Sequence, residues 1–171
     1  IGSKSVDEGA SLIFVISATD PNMTIPVLSA ENLPANAAFQ DSANGRGLFV
    51  FWPNHDQAGV YSVTFRASDG QFVDSEIVEI TVNDINRAPE LYINPTGPYS
   101  VLIGDQLYLD LAASDPDGTI PSISSSELMP NATFIDSGNG HAWFLFRPDS
   151  TQKGDHFISF LASDGYINDT I

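Results

Sequence analysis

Hydrophobic and polar residues alternate along short segments of this chain, with the two-residue period of a β-strand. The alternation is clearest over residues 60–67, where Tyr61, Val63 and Phe65 are predicted to face inward. Other predicted inward rows are Leu12, Phe14, Ile16 and Ala18; Val78, Ile80 and Val82; Leu107, Leu109, Leu111 and Ala113; and Ile158, Phe160 and Ala162. No stretch of helical length has a 3.6-residue period, and Gly, Pro, Asn and Asp interrupt the segments at short intervals. The pattern predicts an all-β protein.

The second half of the chain repeats the first. Asp20 recurs as Asp115 within an Asp-Pro pair, and Asp69 recurs as Asp164 within Ala-Ser-Asp-Gly, so both motifs return 95 residues later. An offset that stays constant over the whole length indicates a duplicated domain of ordinary size. We therefore predict two tandem Greek-key β-sandwich domains, with about seven strands each in two packed sheets.

The predicted division is a first repeat at residues 1–84, a junction at 85–89 and a second repeat at 90–171. Ile1 aligns with Thr96, and Ile171 aligns with Glu76. On this alignment both repeats are expected to be truncated at the chain ends, with most of the last strand missing from the second. The expectation is that further repeats flank the segment, and the alternative is an edge strand supplied by a partner chain.

The charge balance excludes several classes of partner. The chain has 22 Asp and Glu against 6 Lys and Arg, a net charge of −16. Nucleic acid and anionic membrane surfaces are repelled by such a chain. No apolar run approaches the roughly 18 residues of a membrane span, so direct membrane insertion is not expected. There is no cysteine, so rigidity must come from a packed core or from metal ions.

The junction and the turn before it resemble cadherin-like repeats. The resemblance lies in Ala-Ser-Asp-Gly at 67–70, in the strand at 76–82 and in Asp-Ile-Asn-Arg-Ala-Pro at 84–89. The last motif is similar to the D-V-N-x-A-P of bacterial repeats, both the dystroglycan-type cadherin-like and the immunoglobulin-like kind. The likeness extends over essentially the whole chain. It implies Ig/cadherin-like domains in a secreted, extracellular or cell-surface protein.

In cadherins, calcium binds at the junction between consecutive repeats, so the resemblance implies Ca²⁺ as a cofactor. The implied ligands are Glu8, Asn54, Asp56, Asp84, Asn86, Asp115, Asp117 and Asp164. Carboxylates are the ligands that hard cations prefer, and a bridging cation would relieve their mutual repulsion and stiffen the joint. The alternative interpretation of Asp-Pro-Asp-Gly and Ser-Asp-Gly is a plain turn, which Asp and Gly favour without metal.

Arg87 departs from the cadherin pattern, because cadherins have a ligand aspartate at this place. Ile103 also replaces Glu8 in the second repeat. A guanidinium in the cation's place would pair with Asp84 or Asp115. The sequence leaves both a calcium-bound and a calcium-free junction open.

One apolar strip is predicted to face outward. The strip consists of Ile13, Val15, Leu48, Val50 and Trp52 in the first repeat, and of Trp143 and Leu145 in the second. A contiguous outward strip indicates packing against a neighbouring domain, another chain or a glycan stacked on tryptophan. The alternatives are that loops cover the strip, or that the face assignment is shifted by one residue.

No motif indicates an enzyme. The three histidines are scattered, and His156 aligns with Tyr61 and is predicted to pack in the core. No nucleophile elbow and no Gly-rich phosphate loop occurs.

We interpret the chain as a structural and adhesive repeat segment of a large extracellular or cell-surface protein. The expected partners are neighbouring repeats of the same protein and, through Trp52 and Trp143, other surface proteins or glycans. The alternatives are an accessory carbohydrate- or protein-binding module of a secreted enzyme, and a filament subunit completed by a strand from a neighbouring chain.

Overall fold

The computed structural model describes residues 1–171, which divide into two compact units, Ile1–Ile85 and Asn86–Ile171. Both units are built from β-strands and connecting loops. The structure contains no helix of the length and apolarity needed to cross a membrane. Each unit has two sheets around one core, so the predicted all-β sandwich class is confirmed.

Unit 1 has seven strands. They are β1 (Lys4–Asp7), β2 (Leu12–Ser17), β3 (Val27–Glu31), β4 (Ala37–Asp41), β5 (Arg46–Phe51), β6 (Gly59–Ser68) and β7 (Val73–Asn83). One sheet has the order β1-β7-β6-β3, and the other has the order β2-β5-β4. Strand β1 runs parallel to the end of β7, and the remaining pairs are antiparallel. Because β3 and β4 belong to different sheets, the chain crosses between the layers, as in a Greek key.

The core of unit 1 lies between the two sheets and is aromatic. Phe49 and Phe51 of β5 and Val63 of β6 are fully buried. The Phe49 ring lies 4.8 Å from that of Phe14 and 5.7 Å from that of Phe65, centroid to centroid. Burying a phenylalanine contributes about 1.5–3 kcal/mol, so these rings hold the sheets together. The predicted inward faces of β2, β5, β6 and β7 are confirmed.

Unit 2 also has seven strands. They are β8 (Glu90–Asn94), β9 (Leu107–Ser114), β10 (Ser122–Ser125), β11 (Ala132–Asp136), β12 (His141–Phe146), β13 (Phe160–Ser163) and β14 (Asn168–Thr170). The sheets have the orders β11-β12-β9-β8 and β10-β13-β14. Leu109, Leu111, Phe144 and Phe160 fill the core between them. The predicted inward rows of β9 and β13 are therefore confirmed.

One strand is shorter than the alternation predicted. Ile158 packs against the core of unit 2, but it precedes β13 and does not belong to a strand. The reason is pairing: in unit 1 the equivalent Val63 pairs with Val78 of the long strand β7. Strand β14 spans three residues and pairs only with 161–163 of β13. Alternation predicts which side chains face inward, but a ladder also needs a partner strand.

The two units share six strands and their turn hydrogen bonds, whereas the seventh strand differs: β1 pairs with β7 in unit 1, and β8 pairs with β9 in unit 2. Asp41 accepts hydrogen bonds from the amides of Leu28 and Ala43, at 3.1 and 3.0 Å. Asp136 accepts the equivalent pair in unit 2, at 3.2 and 2.9 Å. Each carboxylate thereby joins the start of the third strand of its unit to the turn after the fourth, which fixes the crossing between layers.

His156 takes the place of Tyr61, as the alignment predicted. The Tyr61 hydroxyl donates to the Gln57 carbonyl at 2.9 Å, and its ring contacts Phe51. The His156 ring nitrogen Nε2 lies 3.0 Å from the Gln152 carbonyl, and its ring contacts Phe146 at 5.9 Å. His156 is exposed, however, so the prediction that it packs in the core is wrong: its ring only contacts Phe146 at the margin of the core.

Candidate functional site

In unit 1, the candidate ligand Glu8 is a buried carboxylate. The residue is only 5 % exposed and follows β1 directly. Its Oε1 accepts a hydrogen bond from the Gln57 amide at 3.0 Å, and its Oε2 lies 3.5 Å from the Ile85 amide. Buried charge is tolerated only where donors surround it. Glu8 therefore connects the end of β1, the loop before β6 and the segment after β7.

The other candidate ligands of unit 1 lie in loops at the surface. The Asn54 side chain accepts the Asp56 amide at 3.1 Å, and the Asn54 amide donates to the Gln57 side chain at 2.9 Å. These bonds form an Asx-type turn, which agrees with the turn alternative. Asp84 is exposed after β7.

In unit 2, Arg87 forms a multiply bonded ion pair with Asp117. The Arg87 backbone amide donates to Asp117 Oδ2 at 2.6 Å, and Nε donates to Oδ1 at 2.6 Å. The Nη2 atom lies 2.6 Å from the same Oδ1 and 2.8 Å from the Pro116 carbonyl. Within unit 2 the aspartate paired with Arg87 is Asp117, where Asp115 was predicted, because the turn presents Asp117 to the guanidinium. Pairing with Asp84, in unit 1, stays a prediction.

That turn also determines how Asp115 is placed. Asp115 Oδ1 accepts the Asp117 amide at 2.7 Å, which holds the turn closed. Its other oxygen, Oδ2, is buried and has no hydrogen-bond partner. An unbonded buried carboxylate oxygen is costly unless positive charge lies close by. Asp117, two residues further along the turn, holds the Arg87 guanidinium within unit 2.

Asn86 binds the second aspartate turn of unit 2. Its Nδ2 donates to Asp164 Oδ2 at 2.7 Å, while Asp164 Oδ1 accepts the amides of Tyr166 and Ile167. The Asn86 hydrogen bond, with those from Ile167 and Tyr166, lowers the pKa of Asp164 below its usual value. In unit 1, the hydrogen bonds from the amides of Phe72 and Gln71 lower the pKa of Asp69 below its usual value.

The contacts within the units can be compared with what calcium requires. Calcium takes roughly six to eight oxygen ligands. Within either unit, no group of three or more His, Asp or Glu side chains is arranged to hold a metal ion. Asp117 is paired with Arg87, and Asp164 is bonded to Asn86. The full calcium set draws on both units and stays a prediction.

The outward apolar strip of unit 1 is exposed. Ile13 and Val15 are 56 % and 57 % exposed on β2, and Trp52 is 51 % exposed after β5. On β5, Leu48 lies opposite Val15 and is exposed, while Val50 lies opposite Ile13 and is half-buried. The face assignment is confirmed, since the alternate residues Phe49 and Phe51 are buried.

The corresponding face of unit 2 is aromatic. Trp143 of β12 stacks on Tyr108 of β9, with ring centroids 6.5 Å apart and planes 26° apart. Tyr108 is 50 % exposed, and Tyr92 on the next strand, β8, is 55 % exposed. Sequence reasoning found Trp143 but missed both tyrosines. The signal was present, because each tyrosine alternates with inward leucine or isoleucine neighbours.

No protein-family model and no curated protein matches the chain. Among solved structures, it is similar to an endo-fucoidan hydrolase of glycoside hydrolase family 107, with a TM-score of 0.47 and 16 % identity. That likeness covers 99 % of this chain and 26 % of the hydrolase, so the chain spans about a quarter of that protein. It is also similar to the titin domains Z1Z2 in complex with telethonin, with a TM-score of 0.48 and 14 % identity, over 99 % of this chain and 88 % of that one. Likenesses at this level carry no argument about function.

Proposed function

We propose that the chain is a structural and adhesive segment, made of tandem β-sandwich repeats and carried by a larger extracellular or cell-surface protein. The observation that supports this most is the duplication itself. Six strands with the same pairing order, the core between them and the turn hydrogen bonds recur 95 residues apart. The seventh strand differs, because β1 pairs with β7 in unit 1 and β8 pairs with β9 in unit 2. Serial copies of one self-contained domain are how proteins build extended, quasi-one-dimensional segments.

The composition suits a spacer segment. Its net charge of −16 favours solubility and discourages self-association. With no cysteine, each unit relies on its own apolar core instead of disulfides. Because each core is self-contained, one unit can unfold without the other.

Arg87 is the proposed cation at the start of unit 2. It binds the Asp117 carboxylate and the Pro116 carbonyl, and it directly follows Asn86, which binds Asp164. Residues 86 and 87 are thus attached to two separate turns of unit 2. A guanidinium is always charged and forms directed hydrogen bonds, so this attachment needs no metal. Calcium binding remains the rival proposal, and calcium titration of thermal unfolding separates the two.

The test of the structural role is a replacement in the parent protein. The segment is deleted in one strain and replaced in another by an unrelated pair of β-sandwich domains of similar length. Surface display and adhesion of intact cells are then measured by antibody labelling and by attachment assays. A structural segment predicts that deletion impairs attachment and that the unrelated pair restores it.

Two results would contradict the proposal. If the parent protein is found only inside the cell, by protease accessibility of intact cells, the extracellular role is wrong. If the unrelated pair fails to restore attachment although it is displayed, the segment has a specific role that its shape alone does not provide.

A further inference from the structure

We propose that unit 2 binds a neutral polysaccharide on the outer face of its four-stranded sheet. The site, called the aromatic face below, consists of Tyr92, Tyr108, Ile135, Trp143 and Leu145. This function goes beyond the structural role and would survive if that role were wrong. It rests on the placement of the aromatic rings, on a comparison with unit 1 and on the charge of the face.

The strand register places the rings beside one another. Leu145 of β12 lies opposite Tyr108 of β9, and Trp143 lies opposite Asp110. Tyr108 and Trp143 are therefore diagonal neighbours on one face, which is the reach over which aromatic side chains meet across a ladder. Their planes are 26° apart, so the two rings form a nearly parallel pair on a sheet face.

Unit 1 provides an internal comparison for this face. Ile13 lies opposite Val50 in the same register in which Tyr108 lies opposite Leu145. At the place of Trp143, 95 residues earlier, unit 1 has Leu48. The fold thus accepts aliphatic residues at both places. The aromatic pair in unit 2, with Tyr108 50 % exposed and Trp143 half-buried, is therefore not required by the fold. Aromatic rings on an accessible face are typical of binding surfaces.

The polar groups on the face favour a sugar over a protein. Asp110 lies between Asn94 and Trp143 in one row across the sheet. A protein that covered this row would bury the Asp110 carboxylate, at high cost unless the partner supplied donors. Sugar hydroxyls supply donors, and the apolar faces of pyranose rings can stack on Tyr and Trp. The carboxylates of Asp110 and Glu90, on a chain of net charge −16, repel acidic polysaccharides. The predicted ligand is therefore an uncharged glycan chain.

The experiment uses the whole 171-residue chain. Binding to soluble neutral polysaccharides, namely β-glucan, xyloglucan, galactomannan and xylan, is measured by affinity gel electrophoresis and by titration calorimetry, with alginate as an acidic comparison. The variants are Tyr108→Ile and Trp143→Leu, which introduce the residues that unit 1 has at these places. The matched control is Trp52→Leu in unit 1, which removes an exposed tryptophan outside the aromatic face.

We expect at least one neutral polysaccharide to bind, and each aromatic-face variant to weaken binding about tenfold or more. The Trp52→Leu variant is expected to bind like the parent chain. Each variant's thermal unfolding is measured alongside, so that loss of folding is distinguished from loss of binding.

Three results would overturn the inference. One is the absence of binding to every neutral polysaccharide. Another is binding that persists when both aromatic residues are replaced, or that is confined to alginate. The third is dimerisation of the parent chain in sedimentation experiments that is lost with Tyr108→Ile, because a second copy would then be the occupant of the face.

Discussion

Replacing Arg87 by methionine should destabilise unit 2 by about 2 kcal/mol. The substitution keeps the apolar stem and the backbone amide, and it removes the guanidinium. An exposed ion pair contributes about 0–1 kcal/mol, and breaking a fully buried one costs about 3–5 kcal/mol. The Arg87 side chain is 29 % exposed and that of Asp117 is 15 % exposed. The pair therefore lies between these limits, and its directed hydrogen bonds to charged groups support the same figure.

The assay can isolate unit 2, because each unit has a single tryptophan. In a Trp52→Phe background, fluorescence during thermal unfolding reports Trp143 alone. For a domain of this size, about 2 kcal/mol lowers the unfolding midpoint by roughly 8–16 °C. The matched control is Arg147→Met, since Arg147 is exposed and donates one hydrogen bond to the neutral Gln106 side chain, at 2.8 Å. We expect a change of less than about 0.5 kcal/mol in that variant.

The reasoning would be refuted if Arg87→Met lowered the midpoint no more than Arg147→Met does. A second measurement adds millimolar calcium or chelator to the parent chain. A guanidinium at this place predicts that the midpoint of unit 2 does not change. A calcium-dependent rise that is lost in Asp115→Ala would support the calcium ligand set instead.

Three further predictions concern single positions. Gly138→Ala should destabilise unit 2 by about 1–2 kcal/mol, because the backbone φ of Gly138 is +72°. Gly140→Ala should cost about 1–3 kcal/mol more, since its Cβ would lie 2.7 Å from the Ala113 carbonyl oxygen. Equal losses of unfolding free energy in urea would contradict this steric explanation. Glu8→Ala should destabilise unit 1 by about 2 kcal/mol, because the amides of Gln57 and Ile85 lose their acceptor and the buried Glu8 side chain leaves a gap. Glu8→Gln should cost less. The check is Trp52 fluorescence in a Trp143→Phe background, and a change below about 0.5 kcal/mol in Glu8→Ala would contradict the reasoning. The pKa of Asp164 is lowered in the folded state, so the stability that its carboxylate contributes is present above the usual pKa of 3.8 and is lost as pH falls through the lower folded value. Asp164→Asn should therefore flatten the fall of the thermal unfolding midpoint of unit 2 below pH 3.8. An unchanged pH profile would show that this carboxylate does not stabilise the fold.

The candidate site shows where sequence reasoning works and where it stops. The residue types were informative: Arg87 was identified as a competitor for the cation's place, and the contacts confirm that it pairs with an aspartate of the predicted turn. The choice of Asp117 over Asp115 was not predictable. It depends on the hydrogen bond from the Asp117 amide to Asp115, which turns one oxygen of Asp115 into the interior and presents Asp117 to the guanidinium.

The aromatic face shows the same division. Alternation predicted that Trp143 points outward, and the same pattern was available for Tyr108. Their contact could not be predicted from it, because the register between β9 and β12 decides which outward residues become diagonal neighbours. Register depends on how two segments distant in sequence pair, and this is set by packing of the inward faces and by the turns.

The sequence by itself determined the strand faces, the duplication and the all-β class, because side-chain alternation and repeated turn motifs are local properties of the chain. Only the tertiary structure decided the extent of β13, the partner of Arg87 and the stacking of Tyr108 on Trp143. Each of these depends on a pairing between residues far apart in sequence, and the free energy of such a pairing is fixed only when the sheets have packed.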